Sequence, residues 1–201
     1  MKPLVTHRGL VATLDRSNVD TDQIVAKQFL KSIARTGFGE NLFADWRFDS
    51  SGKPNPDFSL NQPRFKGASI LVTRKNFGSG SSREHAVWAI RQYGFQVVVA
   101  ESFADIFKNN CSKNSVLTIE LSGVEIEHIF QWVEQTPGLE ATAYVDEQRL
   151  TLHLAKEVAF HFEIDRGVKD RLIGGLDDIS LTLQKNAAIR TFEKTHDVQL
   201  G

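Results

Sequence analysis

A chain of 201 residues has enough apolar material for one well-filled core, and hydrophobic residues at 41% with charged residues at 24% exclude an intrinsically disordered chain. Lys and Arg total 24 against 25 Asp and Glu, which excludes a general attraction to nucleic acid or to an anionic membrane surface. Any bound anion is therefore left to local groups, within what is expected to be a single domain over residues 1–201.

Residues 9–14 (GLVATL) read as a first strand, and residues 18–24 (NVDTDQI) follow with cap and turn chemistry that places Asp20, Thr21 and Asp22 at a strand-to-helix turn. From about 35 to 66, Gly37, Gly39, Gly52, Pro54, Pro56 and Pro63 interrupt every period, while Phe38, Leu42, Phe43, Trp46 and Phe48 supply apolar anchors. A segment this long without periodicity reads as a functional flap. Residues 68–73 (ASILVT) and 96–100 (QVVVA) are continuous apolar runs of the kind expected in strands buried on both faces. A helix fits between them over 82–93, making a strand–loop–helix–strand crossover. A further helix is expected over 103–110, a strand over 115–121, and a helical stripe through Ile126, Ile129, Phe130 and Val133. After Pro137 and Gly138 the period becomes two: Leu150, Leu152 and Leu154 face one way, and Val158, Phe160, Phe162 and Ile164 do the same in the next run. That pattern predicts a C-terminal antiparallel hairpin, and a last helix is expected from about 176 to 194. Parallel strands with crossover helices followed by a hairpin define a mixed α/β domain.

No run approaches the ~20 apolar residues of a membrane span, and residues 1–15 lack the apolar core and cleavage pattern of a signal peptide, so the chain is expected in the cytoplasm. The single cysteine, Cys111, closes no internal disulfide. Nor does it supply the roughly four thiolates that an iron–sulfur cluster takes, so any such cluster is expected on another chain.

The stretch 76–86, NFGSGSSREHA, concentrates glycine, serine and a guanidinium at the end of a buried strand. It is not a dinucleotide fingerprint, because Arg83 stands where a third glycine belongs, and it lacks the Gly-Lys-Ser/Thr ending of a phosphate loop. One reading is structural: Ser81 and Glu84 have the spacing of a capping box. The other is an anion cradle. Gly78 and Gly80 let the backbone approach a ligand, free N–H groups and the helix dipole favour negative charge, and Arg83 grips a carboxylate through two parallel hydrogen bonds. A serine in such a field is a candidate base for removing a proton beside a carboxylate.

With residues 97–106 (VVVAESFADI) after it, this stretch resembles the swivelling domain of the aconitase superfamily, and within it the small subunits of 3-isopropylmalate dehydratases. The similarity extends through residues 18–24, 35–39, 45–47, 54–58 and 175–179. It implies a β/β/α-barrel domain that works with a large subunit bearing a 4Fe-4S cluster, this chain binding no metal itself. It implies a hydro-lyase of leucine biosynthesis that isomerises 2-isopropylmalate and 3-isopropylmalate by dehydration and rehydration. Ser81 corresponds to the catalytic base, while Ser82 and Arg83 correspond to the groups that hold a substrate carboxylate. Gly80, Asp20, Thr21 and Asp22 are expected to support them from behind, with Asp22 orienting Arg83 or Ser81. The loop 27–32 corresponds to the segment that governs substrate choice. There Phe29 and Leu30 are expected against the alkyl group of the substrate, with Lys31 towards solvent or the partner chain.

The sequence departs from the family pattern at Ala26, Ser79, Gly174 and residues 111–116. These departures leave room for another hydroxy-dicarboxylate substrate such as citramalate, dimethylmalate or homoaconitate, and for a non-catalytic anion-binding module. His153 and His161 fall on the polar faces of the expected hairpin as potential cross-strand neighbours. His85 and Trp132 are expected to pack, Trp46 to pack or cover the site, and Cys111 to be a buried thiol.

Overall fold

The structure is a computed structural model that describes residues 2–31, 36–176, 180, 183 and 186–195, without the side chains of residues 30, 31, 187, 188 and 193–195. Strands β1 Thr6–Leu14, β2 Ile70–Thr73, β3 Val97–Ala100, β4 Leu117–Glu120, β5 Glu140–Tyr144, β6 Arg149–Leu152 and β7 Val158–His161 form one sheet in the order β4-β3-β2-β1-β5-β6-β7. β1 joins two kinds of pairing. Its residues 11–14 run parallel to β2, and its residues 6–10 run antiparallel to β5. β2, β3 and β4 continue the parallel half, while β5, β6 and β7 form an antiparallel half.

The helices are α1 Thr21–Ile24, α2 Ala44–Arg47, α3 Glu84–Tyr93, α4 Asp105–Lys113, α5 Gly123–Gln135, α6 Arg166–Gly174 and α7 Asn186–Thr195. Crossover helices α3 and α4 leave β2 and β3 in turn, so every residue of Ile70–Thr73 and Val97–Ala100 is buried, which is why these strands read as unbroken apolar runs. α5 begins with a capping box between Ser122 and Glu125 and buries Ile126, Ile129 and Val133. Its Phe130 packs against the edge of the core with the Arg74 guanidinium 4.2 Å above its ring.

Here the structure adds to two expectations and corrects a third. First, the described part of the expected flap is a packed cover: Phe38, Leu42, Phe43, Phe58, Leu60 and Phe65 are each at most 5% exposed. Burying side chains of this size stabilises by about 1.5–3 kcal/mol each, which holds an aperiodic chain in place through short helical turns. Trp46 belongs to this cover, stacked on Phe43 at 5.5 Å with Arg16 over its ring at 4.3 Å. Second, the hairpin of β6 and β7 is extended by β5, whose sequence EATAY carries too few large apolar side chains to announce a strand. Third, His161 faces Arg149, not His153, whose ring is held between Thr142 Oγ1 at 2.8 Å and Glu157 Oε1 at 2.9 Å. Of the last helix, Asn186–Thr195 is described, while residues 177–179, 181, 182, 184 and 185 lie outside the described residues.

Candidate active site

The loops that leave the carboxyl ends of β1, β2 and β3 are stitched together, at the edge where open α/β sheets place ligands. Asn18 and Asn76 turn their chains with φ of 57° and 56°, and Asn76 Nδ2 donates to Asn18 Oδ1 at 2.9 Å. The Gly78 N–H then donates to the Val19 carbonyl and the Thr21 N–H to the Ser79 carbonyl, each at 2.8 Å. On the other side, Phe77 N–H donates to the Ser102 carbonyl at 3.0 Å and Asn76 N–H to Ser102 Oγ at 2.9 Å. The Gly78 backbone lies directly on a ring, with φ of 78° and a Cβ at this position falling 2.2 Å from Phe107 Cγ. Only glycine fits there.

Beyond Gly80, whose φ is 94°, Ser81 and Ser82 are exposed and Arg83 is partly buried. The capping-box reading of Ser81 is corrected here. α3 begins at Glu84 with Arg83 as an N-cap whose guanidinium offers no acceptor for a side-chain cap, and the Arg83 N–H turns back to the Ser81 carbonyl at 2.7 Å. Glu84 instead accepts from Asn114 Nδ2 at 2.9 Å. The capping box lies at Asp20 and Gln23, with Asp20 Oδ1 accepting the Gln23 N–H at 2.8 Å and Gln23 Oε1 accepting the Asp20 N–H at 2.9 Å. Among the described residues, nothing accepts from the N–H groups of Gly80, Ser81 and Ser82. These donors and the start of a helix give a small surface that favours an anion.

The short α1 holds this surface from below. Thr21, only 2% exposed, donates its hydroxyl to the Ser81 carbonyl at 3.2 Å. Asp22 forms an ion pair with Arg83 Nη1, and its other oxygen lies 3.4 Å from Lys27 Nζ. The sequence pointed to Asp22 but gave no signal for Lys27 as its second partner. His85 packs, edge-on to Phe38 at 5.2 Å and 4.8 Å from the Trp88 ring.

Thus Ser81, Ser82, Arg83, Gly80, Asp20, Thr21 and Asp22 are brought together. Phe29 lines a space of about 580 Å³ with Gln28, Ala44, Asp45, Phe48 and Asp49, and the described motif residues are not part of that lining. The side chains of Leu30 and Lys31 lie outside the described residues. Cys111 is completely buried, and burial pushes its thiol well above the usual range. Among the described residues no group of three or more His, Cys, Asp or Glu is arranged to hold a metal ion, and no helix is long and apolar enough to cross a membrane. The sequence has a single cysteine, fewer thiolates than an iron–sulfur cluster takes.

The mixed sheet and the serine–arginine turn at its carboxyl edge define a swivelling domain of the aconitase class, and the aconitase C-terminal domain family matches residues 1–123. The family of C-terminal domains from 3-isopropylmalate dehydratase small subunits matches residues 178–199. A 3-isopropylmalate dehydratase small subunit of Desulforapulum autotrophicum is 52% identical, covering 96% of this chain and 95% of that protein. One of Leptospira interrogans is 53% identical, over 96% of this chain and 94% of that protein. The crystal structure of a 3-isopropylmalate dehydratase from Methanocaldococcus jannaschii shares the fold, with a TM-score of 0.62 at 22% identity over 94% of this chain and 99% of that chain. The chain belongs to the family of 3-isopropylmalate dehydratase small subunits.

Proposed function

We propose that this chain, joined to a large subunit that bears a 4Fe-4S cluster, interconverts 2-isopropylmalate and 3-isopropylmalate in the cytoplasm as a hydro-lyase of leucine biosynthesis. Family membership over nearly the whole chain supports the reaction class. The observation that carries the division of labour is the pairing, on one short turn, of an exposed serine with an arginine whose position is fixed from behind. Arg83 holds one carboxylate of the diacid, helped by the Ser82 hydroxyl and the unengaged N–H groups of the turn. Ser81 then takes the proton from the carbon beside that carboxylate as the neighbouring carbon loses its hydroxyl, and returns it to the other carbon on rehydration. Removal of the hydroxyl is left to the large subunit, whose cluster would supply the Lewis acid, since the single cysteine of this chain is too few to hold such a cluster.

The test uses the two subunits reconstituted anaerobically and assayed with 2-isopropylmalate and 3-isopropylmalate. Ser81→Ala is expected to lower kcat by ~10²-fold or more with KM little changed, since a general base acts in the transition state. Arg83→Lys is expected to raise KM strongly, because an ammonium does not reproduce a two-point grip on a carboxylate. Near-normal turnover in Ser81→Ala places the base elsewhere. Parallel assays with citramalate, dimethylmalate and homoaconitate decide whether the diacid is the one the family name gives.

A further inference from the structure

Ser81 and Arg83 stand on an exposed turn that follows a glycine with positive φ, a place where a side chain is poorly fixed by its own backbone. Both are nevertheless tied to adjacent residues of α1. The carbonyl of Ser81 accepts from Thr21 Oγ1 at 3.2 Å and from the Arg83 N–H at 2.7 Å, which orients the peptide that carries the Ser81 side chain. Thr21 uses a buried hydroxyl for this bond, and its N–H is already committed to Ser79. Asp22, the next residue, contacts Arg83 through Nη1, and among the described residues nothing meets the Nε and Nη2 edge, which can take a carboxylate. Its second oxygen faces Lys27, the first residue of the turn Lys27–Lys31.

We propose that Thr21 and Asp22 are positioning residues with separate duties, Thr21 aiming Ser81 and Asp22 aiming Arg83, with Lys27 linking that pair to the neighbouring turn. The inference rests on the catalytic reading given above. An error in the direction of the base affects the transition state, whereas a misdirected guanidinium affects carboxylate binding, so the two neighbours act on different kinetic constants. The Lys27 contact is exposed at 3.4 Å and contributes less than the Arg83 contact.

The experiment is steady-state kinetics of the reconstituted enzyme, with the thermal midpoint of each variant recorded beside it. Thr21→Val keeps the shape and removes the donor. It is expected to lower kcat about tenfold with KM within about threefold of wild type, and Thr21→Ser is expected to restore kcat to within about threefold. Asp22→Asn is expected to raise KM about tenfold with kcat within about threefold, and Lys27→Met to raise KM about twofold. Acting through their neighbours, Thr21→Val adds little further loss to Ser81→Ala, and Asp22→Asn adds little to Arg83→Lys. Equal changes of kcat and KM in Thr21→Val, a lower KM in Asp22→Asn, or fully additive losses in the double variants overturn the inference while leaving the roles of Ser81 and Arg83 intact. If Thr21→Val does not fold, kcat in Thr21→Ser below one-tenth of wild type overturns it. Normal kinetics in Ser81→Ala and Arg83→Lys overturn the catalytic reading and this inference together.

Discussion

His7 on β1 is half-buried, with Nε2 2.8 Å from Ser69 Oγ, and burial lowers its pKa from the ordinary value of about 6.5. The unfolded chain therefore binds this proton more readily than the folded one. The stability from a neutral His7 is complete above about pH 6.5 and declines as the pH falls through the window between that value and the lowered folded pKa. Urea midpoints are expected to fall between pH 7.5 and 5.5, and to fall less in His7→Gln, which can still bond Ser69; an equal fall in both places the acid sensitivity elsewhere. At this scale the sequence was informative where chemistry depends on residue type alone. A lone cysteine in apolar surroundings and a histidine beside Trp88 were both readable as packing groups. Lys27 beside Asp22 was not, because an exposed lysine follows no pattern that names its partner.

Two glycines with the same backbone show what an element asks of a residue. Gly78 and Gly52 both have φ of 78°, but a Cβ on Gly78 meets Phe107 at 2.2 Å, whereas a Cβ on Gly52 meets nothing within 4 Å. Both substitutions to alanine incur a left-handed penalty of about 1 kcal/mol, and Gly78→Ala adds overpacking of roughly 1–3 kcal/mol. Denaturant titration is expected to show Gly52→Ala down by about 1 kcal/mol and Gly78→Ala by roughly 2–4 kcal/mol; similar values would mean that Phe107 moves aside freely. The same distinction explains which elements were legible. Ile70–Thr73 and Val97–Ala100 declare themselves by unbroken apolar runs, since neighbours cover both faces. Glu140–Tyr144 is a strand because β1 and β6 flank it, and its small side chains fill space already shaped by them. In the cover over residues 36–66 the anchors Phe38, Leu42 and Phe43 were legible but their short helical turns were not, because they reach the core one at a time without a period.

At the scale of the whole molecule, β1 holds a parallel half that builds the serine–arginine turn and an antiparallel half that enlarges the sheet beneath it. The site that results is an open edge, with Ser81 and Ser82 exposed and the described motif residues lining no part of the 580 Å³ space beside Phe29. An exposed serine beside an arginine, read as base and carboxylate grip under the proposed function, still needs a dry enclosure and an electrophile for the leaving hydroxyl. The single cysteine in the sequence is Cys111, which is fully buried on α4. That is too few thiolates for a cluster, and the chain is expected to depend on its large subunit for both missing functions. Purified alone, it should show no iron–sulfur absorbance and no turnover of either isopropylmalate. Adding the large subunit under anaerobic conditions should restore turnover until the concentrations are equimolar and no further. Turnover by the purified chain alone would overturn the dependence, and saturation far from equimolar would mean that one small subunit does not complete one site.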